Sequence, residues 1–109
     1  MTATITATTK AVLDRHMRAL LGGDVDGILA DYADDAALVS AQRIIRGHDG
    51  LRAMFSNIPA GSFDGFTVTK EVCDGEIALI EWTSKHVGFG TDTFVVRDGK
   101  IVAQTVAHK

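Results

Sequence analysis

The chain has 109 residues, 46% of them hydrophobic and 23% charged, with a formal net charge of −3 and a pI near 5.7. That length holds one domain able to bury roughly two-thirds of its unfolded surface. The 11 Lys and Arg are scattered over an acidic chain, which argues against nucleic acid and against an anionic membrane as partners.

The first ten residues have no basic segment followed by a long apolar one, so they read as neither signal peptide nor anchor. Residues 1–8 are expected to form a flexible lead-in to a single domain spanning 1–109. Cys73 stands alone, which precludes an internal disulfide and fits a reducing compartment. No apolar run approaches transmembrane length. Together these point to a cytoplasmic protein.

Periodicity predicts a first helix over Thr9–Leu21, with Val12, Leu13, Met17 and Leu20 on one side and Asp14, Arg15 and Arg18 on the other. Gly22-Gly23 stops it. Asp24 is placed to cap a second helix over Val25–Tyr32, whose Val25, Ile28, Leu29 and Tyr32 form one apolar stripe. A short strand is expected over Ala36–Ser40 and its partner over Gln42–Arg46. A third helix opens at Gly47-His48-Asp49-Gly50, carries Leu51, Met54, Phe55 and Ile58, and closes at Pro59. Four strands follow, over Phe66–Cys73, Glu76–Gly88, Gly90–Arg97 and Lys100–Ala107. Asp74-Gly75 and Asp98-Gly99 are hairpin signals, because both residues of such a pair tolerate positive φ. Helices first and a meander afterwards is α+β order.

The stretch from Ala19 to Ala36 resembles the entry to the cone-shaped domains related to nuclear transport factor 2. That superfamily includes ketosteroid isomerases, SnoaL-like polyketide cyclases and limonene-epoxide-hydrolase-like enzymes. The resemblance implies three N-terminal helices packed on a curved antiparallel sheet that encloses a pocket. It also implies a homodimer formed through the sheet.

Two polar residues interrupt apolar faces. Asp92 shares a strand face with Phe94 and Val96, and burial there would keep its carboxyl neutral and able to donate a hydrogen bond. With a two-residue turn at Asp98-Gly99, Val96 should pair with Ile101, Phe94 with Ala103 and Asp92 with Thr105. His16 falls inside the apolar arc of helix one, between Val12 and Leu20, where it needs a partner or a wet pocket. Ile80, Trp82, Ser84 and His86 share a face of the long strand, so His86 is a substitute base if that face is inward.

Aligned to ketosteroid isomerase, His16 takes the place of the catalytic tyrosine. Asp92 falls where that enzyme keeps a protonated aspartic acid, and Ser40 stands where it has its general-base carboxylate. The resemblance thus implies Asp92 and His16 as catalytic residues. Ser40, Tyr32, Met54, Phe55, Ile58, Trp82, His86 and Phe94 would line the pocket. His48 reads as a helix-entry residue and His108 as a bystander near the C-terminus. No histidine spacing suits a metal, and neither metal nor other cofactor is expected. The epoxide hydrolases use an Asp–Arg–Asp set, for which Arg46 and Arg97 are available without any periodicity that turns them inward. Two functions compete: an isomerase or cyclase acting on a small apolar, carbonyl-bearing ligand, and a non-catalytic binding or dimeric assembly module. A carrier role has no support beyond fold analogy.

Overall fold

A computed structural model describes residues 2–109. Helix α1 runs Thr2–Leu21, so residues 2–8, expected as a flexible lead-in, are helical; Met1 lies outside the described residues. The reason is tertiary. The Thr6 hydroxyl accepts from the Gly75 amide at 2.8 Å and the Thr9 hydroxyl donates to the Gly75 carbonyl at 2.7 Å, clamping the early turns to a hairpin far along the chain. At the other end Gly23, with φ 69°, turns the chain out of α1. The Asp24 carboxylate caps α2 (Val25–Ala30), accepting from the Gly27 amide at 3.0 Å. This helix stops short of the expected Tyr32, because the Asp31 carbonyl is taken by the Ile101 amide at 2.8 Å and Tyr32 already pairs with Ile101.

Strand β1 (Tyr32–Val39) and the short β2 (Ile44–Arg46) lead into α3 (Gly47–Ser56). Asn57 ends α3 before Pro59, its amide donating to the Met54 carbonyl and its side chain to the Ala53 carbonyl. Strands β3 (Thr67–Asp74), β4 (Ile77–Thr83), β5 (Gly90–Arg97) and β6 (Lys100–His108) complete a six-stranded sheet in the order β2-β1-β6-β5-β4-β3. All neighbours are antiparallel except β1 and β6, which run parallel and join the N-terminal half to the meander. The fold is α+β, with helices against a curved sheet.

The hairpins differ in detail from expectation. Asp98 and Gly99 both have positive φ, 53° and 76°, as predicted, whereas in the first hairpin Asp74 pairs with Ile77 and Gly75-Glu76 is the turn. Strand β4 ends at Thr83, not Gly88. The Ser84 hydroxyl accepts from the amides of His86 and Val87 at 3.3 and 3.1 Å, and that turn takes residues 84–89 out of the ladder. The β5–β6 register starts as predicted, Val96 opposite Ile101, and then slips at a bulge that skips Val102. Phe94 therefore faces Gln104 and Asp92 faces Val106, not Ala103 and Thr105.

Leu13, Tyr32, Leu51, Ile80, Phe94 and Ile101 form the centre of the core between the helices and the inner face of the sheet. Trp82 crosses that face over Gly90, where an added Cβ would lie 2.3 Å from the indole. Gly90→Ala should therefore displace Trp82 and destabilise the fold by about 1–3 kcal/mol through overpacking. A lower urea midpoint at unchanged slope would register it; an unchanged midpoint would refute the contact.

Candidate active site

A cavity of about 660 Å³ lies between α1, α3 and the inner face of the sheet. Its walls are mainly apolar, with Leu20, Leu38, Met54, Phe55, Ile58 and Phe94 prominent. The exposed Gln42 and Arg43 of the β1–β2 connection and His108 of β6 lie at its opening. A neighbouring hollow of about 640 Å³ lies between α2 and the segment after α3, with Ser56, Ser62, Asp64 and Thr67 as its polar lining residues. The first cavity is the one that meets buried, titratable chemistry.

That chemistry is a line of polar side chains across the interior. Trp82 Nε1 donates to Asp92 Oδ1 at 2.9 Å, and Gln104 Nε2 donates to Asp92 Oδ2 at 2.8 Å. The Tyr32 hydroxyl donates to Gln104 Oε1 and lies 3.4 Å from His16 Nε2. On the other side of the imidazole, His16 Nδ1 and Asp31 Oδ2 face each other at 3.8 Å, both buried and neither with a hydrogen bond. Arg15 Nε closes the line on Asp31 Oδ1 at 2.6 Å. The edges of the His16 ring rest against Tyr32 and Phe94, centroids 5.1 and 5.7 Å away.

The two carboxyls are pushed in opposite directions. Burial raises the proton affinity of Asp92, and its hydrogen bonds to Trp82 and Gln104 offset this only in part, so its pKa stays above the usual carboxylate range. Burial also acts upward on Asp31, but His16 and Arg15 together outweigh it and hold that pKa below its ordinary value. The Tyr32 phenol is raised, by burial first and then by Asp92 and Asp31. Among the described residues no His, Cys, Asp or Glu cluster is arranged to hold a metal ion, and no helix is long and apolar enough to cross a membrane.

The model of the SnoaL-like domain matches residues 13–104, most of the chain and all of the polar line. The chain belongs to the SnoaL-like domain family. No curated protein matches it. A solved NTF-2 like protein of unknown function from Burkholderia xenovorans is 27% identical with a TM-score of 0.81, covering 94% of this chain and 84% of that one. A candidate ketosteroid isomerase from Kribbella flavida superposes with a TM-score of 0.79 at 22% identity, over 95% of this chain and 79% of that one. An LEH-like epoxide hydrolase from M. tuberculosis does so with a TM-score of 0.76 at 20% identity, over 95% and 84%. At those two identities the likeness is one of fold.

Within this SnoaL-like chain, His16, Ser40, Met54, Phe55, Ile58, Trp82, Asp92 and Phe94 all border the cavity. Ser40 sits by the opening, its hydroxyl accepting from the Gln42 amide at 3.3 Å. Tyr32 lies beneath the cavity, buried in the core, and reaches it through Gln104. His86 is exposed in the turn after β4 and does not border the cavity, because the Ser84 turn ends the alternation that would have aimed it inward. His108, expected as a bystander, borders the opening beside Trp82, the ring centroids 6.3 Å apart. Arg97 is engaged by Glu76 on the surface, and Arg46 is exposed, so neither supplies an inward arginine.

Both groups bonded to Asp92, the indole N–H and the amide NH₂, are donors, so in this arrangement its carboxyl accepts twice. The sequence does not reveal Gln104, which the β5–β6 bulge moves onto the inner face, or Asp31, which falls inside the expected helix because that helix extends two residues beyond Ala30.

Since the Asp31 pKa is depressed, its contribution to stability is present above its ordinary value and lost as pH falls through and below about 4. Asp31→Asn should cost about 1–3 kcal/mol at neutral pH by leaving the His16 Nδ1 side without an anion. It should also flatten the acid limb of the stability profile measured by urea unfolding between pH 7 and 3. An acid limb as steep as that of the unsubstituted protein would refute the assignment.

Proposed function

We propose that this SnoaL-like chain is a small-molecule pocket enzyme of the isomerase or cyclase type, acting on an apolar ligand that carries a carbonyl group. The observation that carries the reading is the Asp92 carboxyl, half-buried at the wall of an apolar cavity and held by two donors. A carboxylate with raised proton affinity is a stronger base than a solvated one, and its two donors favour the ionised form that can act as one. Asp92 takes the proton next to the ligand carbonyl. His16, with Tyr32 between it and Gln104, supplies or shares the proton that the carbonyl oxygen gains. In this reading Ser40 is no longer the gap left by a missing base, because the base stands on β5 instead.

A thermal-shift screen against keto-steroids, phenolic steroid mimics and polycyclic aromatic ketones tests the pocket. A ligand at 100 times its Kd adds about 2.7 kcal/mol. For a domain of this size that raises Tm by roughly 10 °C. On a ligand that shifts Tm, Asp92→Asn should lower kcat by about 10²-fold or more. Unchanged turnover would overturn the catalytic role.

A second reading has its own observation. The outer face of the sheet carries Val39, Ile44, Val72 and Ile77, exposed by 39, 72, 45 and 53%, in a band shared with Leu79 and Val95. Such a band favours a homodimer through the sheet. If the dimer forms there, Ile77→Glu should delay elution in size-exclusion chromatography to the monomer position without changing ligand-induced Tm shifts. An elution volume equal to that of the unsubstituted protein would refute this face.

A further inference from the structure

Tracing donors and acceptors along the buried line leaves only two consistent arrangements. His16 Nδ1 faces the Asp31 carboxylate, so it bears hydrogen in both. In the first, Gln104 NH₂ donates to Asp92 and Gln104 Oε1 accepts from Tyr32. The Tyr32 oxygen is then left to accept, and His16 Nε2 must bear hydrogen too: an imidazolium accompanies an ionised Asp92. In the second, the Gln104 amide is turned by half a revolution. Its oxygen then accepts from a protonated Asp92 Oδ2, and its NH₂ donates to the Tyr32 oxygen. The Tyr32 hydrogen points to His16 Nε2, which must be a bare acceptor on a neutral ring. His16 Nε2, Tyr32 and Asp92 together hold the same number of protons in both cases; one has left His16 Nε2 and one has arrived on Asp92.

We infer that Gln104 is a positioning residue whose amide orientation ties the charge state of Asp92 to that of His16, through Tyr32. Mixed states break the line. A neutral Asp92 beside an imidazolium, or a carboxylate beside a neutral ring, leaves two donors or two acceptors opposed at one joint, among side chains that are almost wholly buried. Tyr32 is 1% exposed, His16 1% and Gln104 6%.

The inference rests on reading Asp92 and His16 as the acid–base pair of the cavity. There it has a direct use. Removal of a ligand proton by Asp92 and delivery of one by His16 convert the first arrangement into the second with every proton accounted for. Half a turn of one amide then matches the hydrogen bonds to the new state. The other charged groups facing the pair are Arg15, through Asp31, and His108, which acts on Asp92 from the opening. Neither is joined to the line by Gln104.

The test needs no substrate. The His16 ring nitrogens are followed by NMR across pH in the ligand-free protein, in the unsubstituted chain and in Asp92→Asn. They are then followed in Gln104→Met and Tyr32→Phe, each with and without Asp92→Asn. Asparagine in place of Asp92 carries a donor where the protonated acid does, so it should hold the amide turned and the ring neutral. The His16 midpoint should fall by at least about one pH unit, a tenfold loss of proton affinity. In the Gln104→Met and Tyr32→Phe backgrounds the same change should move it by less than half as much. An equal shift in all backgrounds would mean that the two groups sense each other only through space, and would overturn the inference. Gln104→Met and Tyr32→Phe interrupt the line at different joints, so one that fails to fold leaves the other to decide. If the coupling is present and Asp92→Asn retains turnover, the catalytic reading falls and the coupling stands. If Asp92→Asn abolishes turnover and the coupling is absent, the reverse holds.

Discussion

A line of hydrogen bonds from Trp82 through Asp92 and Gln104 to Tyr32, with His16 at its end, runs across an interior that is otherwise apolar. Each of these groups would cost about 1–3 kcal/mol if buried without a partner. Their partners come from five different elements, α1, β1, β6, β5 and β4, and that fixes how those elements meet. The β5–β6 bulge has to skip Val102, or Gln104 would point to the outer face and leave both Asp92 and Tyr32 short of a bond. Position 90 has to be glycine for Trp82 to lie flat enough to reach Asp92. Helix α2 has to end at Ala30 for Tyr32 to enter the sheet beside Ile101. Irregularities that look like local accidents are conditions of one buried network.

The network also separates the two carboxyls. Asp31 meets a guanidinium and an imidazole, and Asp92 meets neutral donors in an apolar wall. One is held ionised and the other has its proton affinity raised, with the imidazole between them. Pairs of titratable groups driven apart by their surroundings are how a fold assigns acid and base roles near neutral pH. In the proposed reaction Asp31 is the anchor for the His16 tautomer and Asp92 the group that exchanges protons.

Much of this was legible in the chain and some of it was not, for reasons that can be named. Asp92 and His16 stood out because a polar residue on a periodic apolar face has to be accounted for, and the periodicities of 2 and 3.6 survive folding. Asp98-Gly99 gave its hairpin because positive φ at both positions is a local property. Gln104 was hidden because a bulge reverses the facing of everything beyond it, and no local signal marked Val102 as the skipped residue. The start of α1 was hidden because Thr6 and Thr9 are secured by Gly75, a contact made only once the hairpin is in place. The outward place of His86 is not legible because Ser84 offers its hydroxyl to two amides, an alternative to the ladder that alternation cannot reveal.

The raised proton affinity of Asp92 bears on why it is there. A group whose folded pKa lies above its unfolded one binds more protons in the native state, so its contribution to stability falls as pH rises through that interval. An ionised Asp92 therefore carries a cost in stability that the bonds from Trp82 and Gln104 offset in part. At the cavity wall beside Phe94, Trp82 and Gln104 fix both oxygens of that carboxyl.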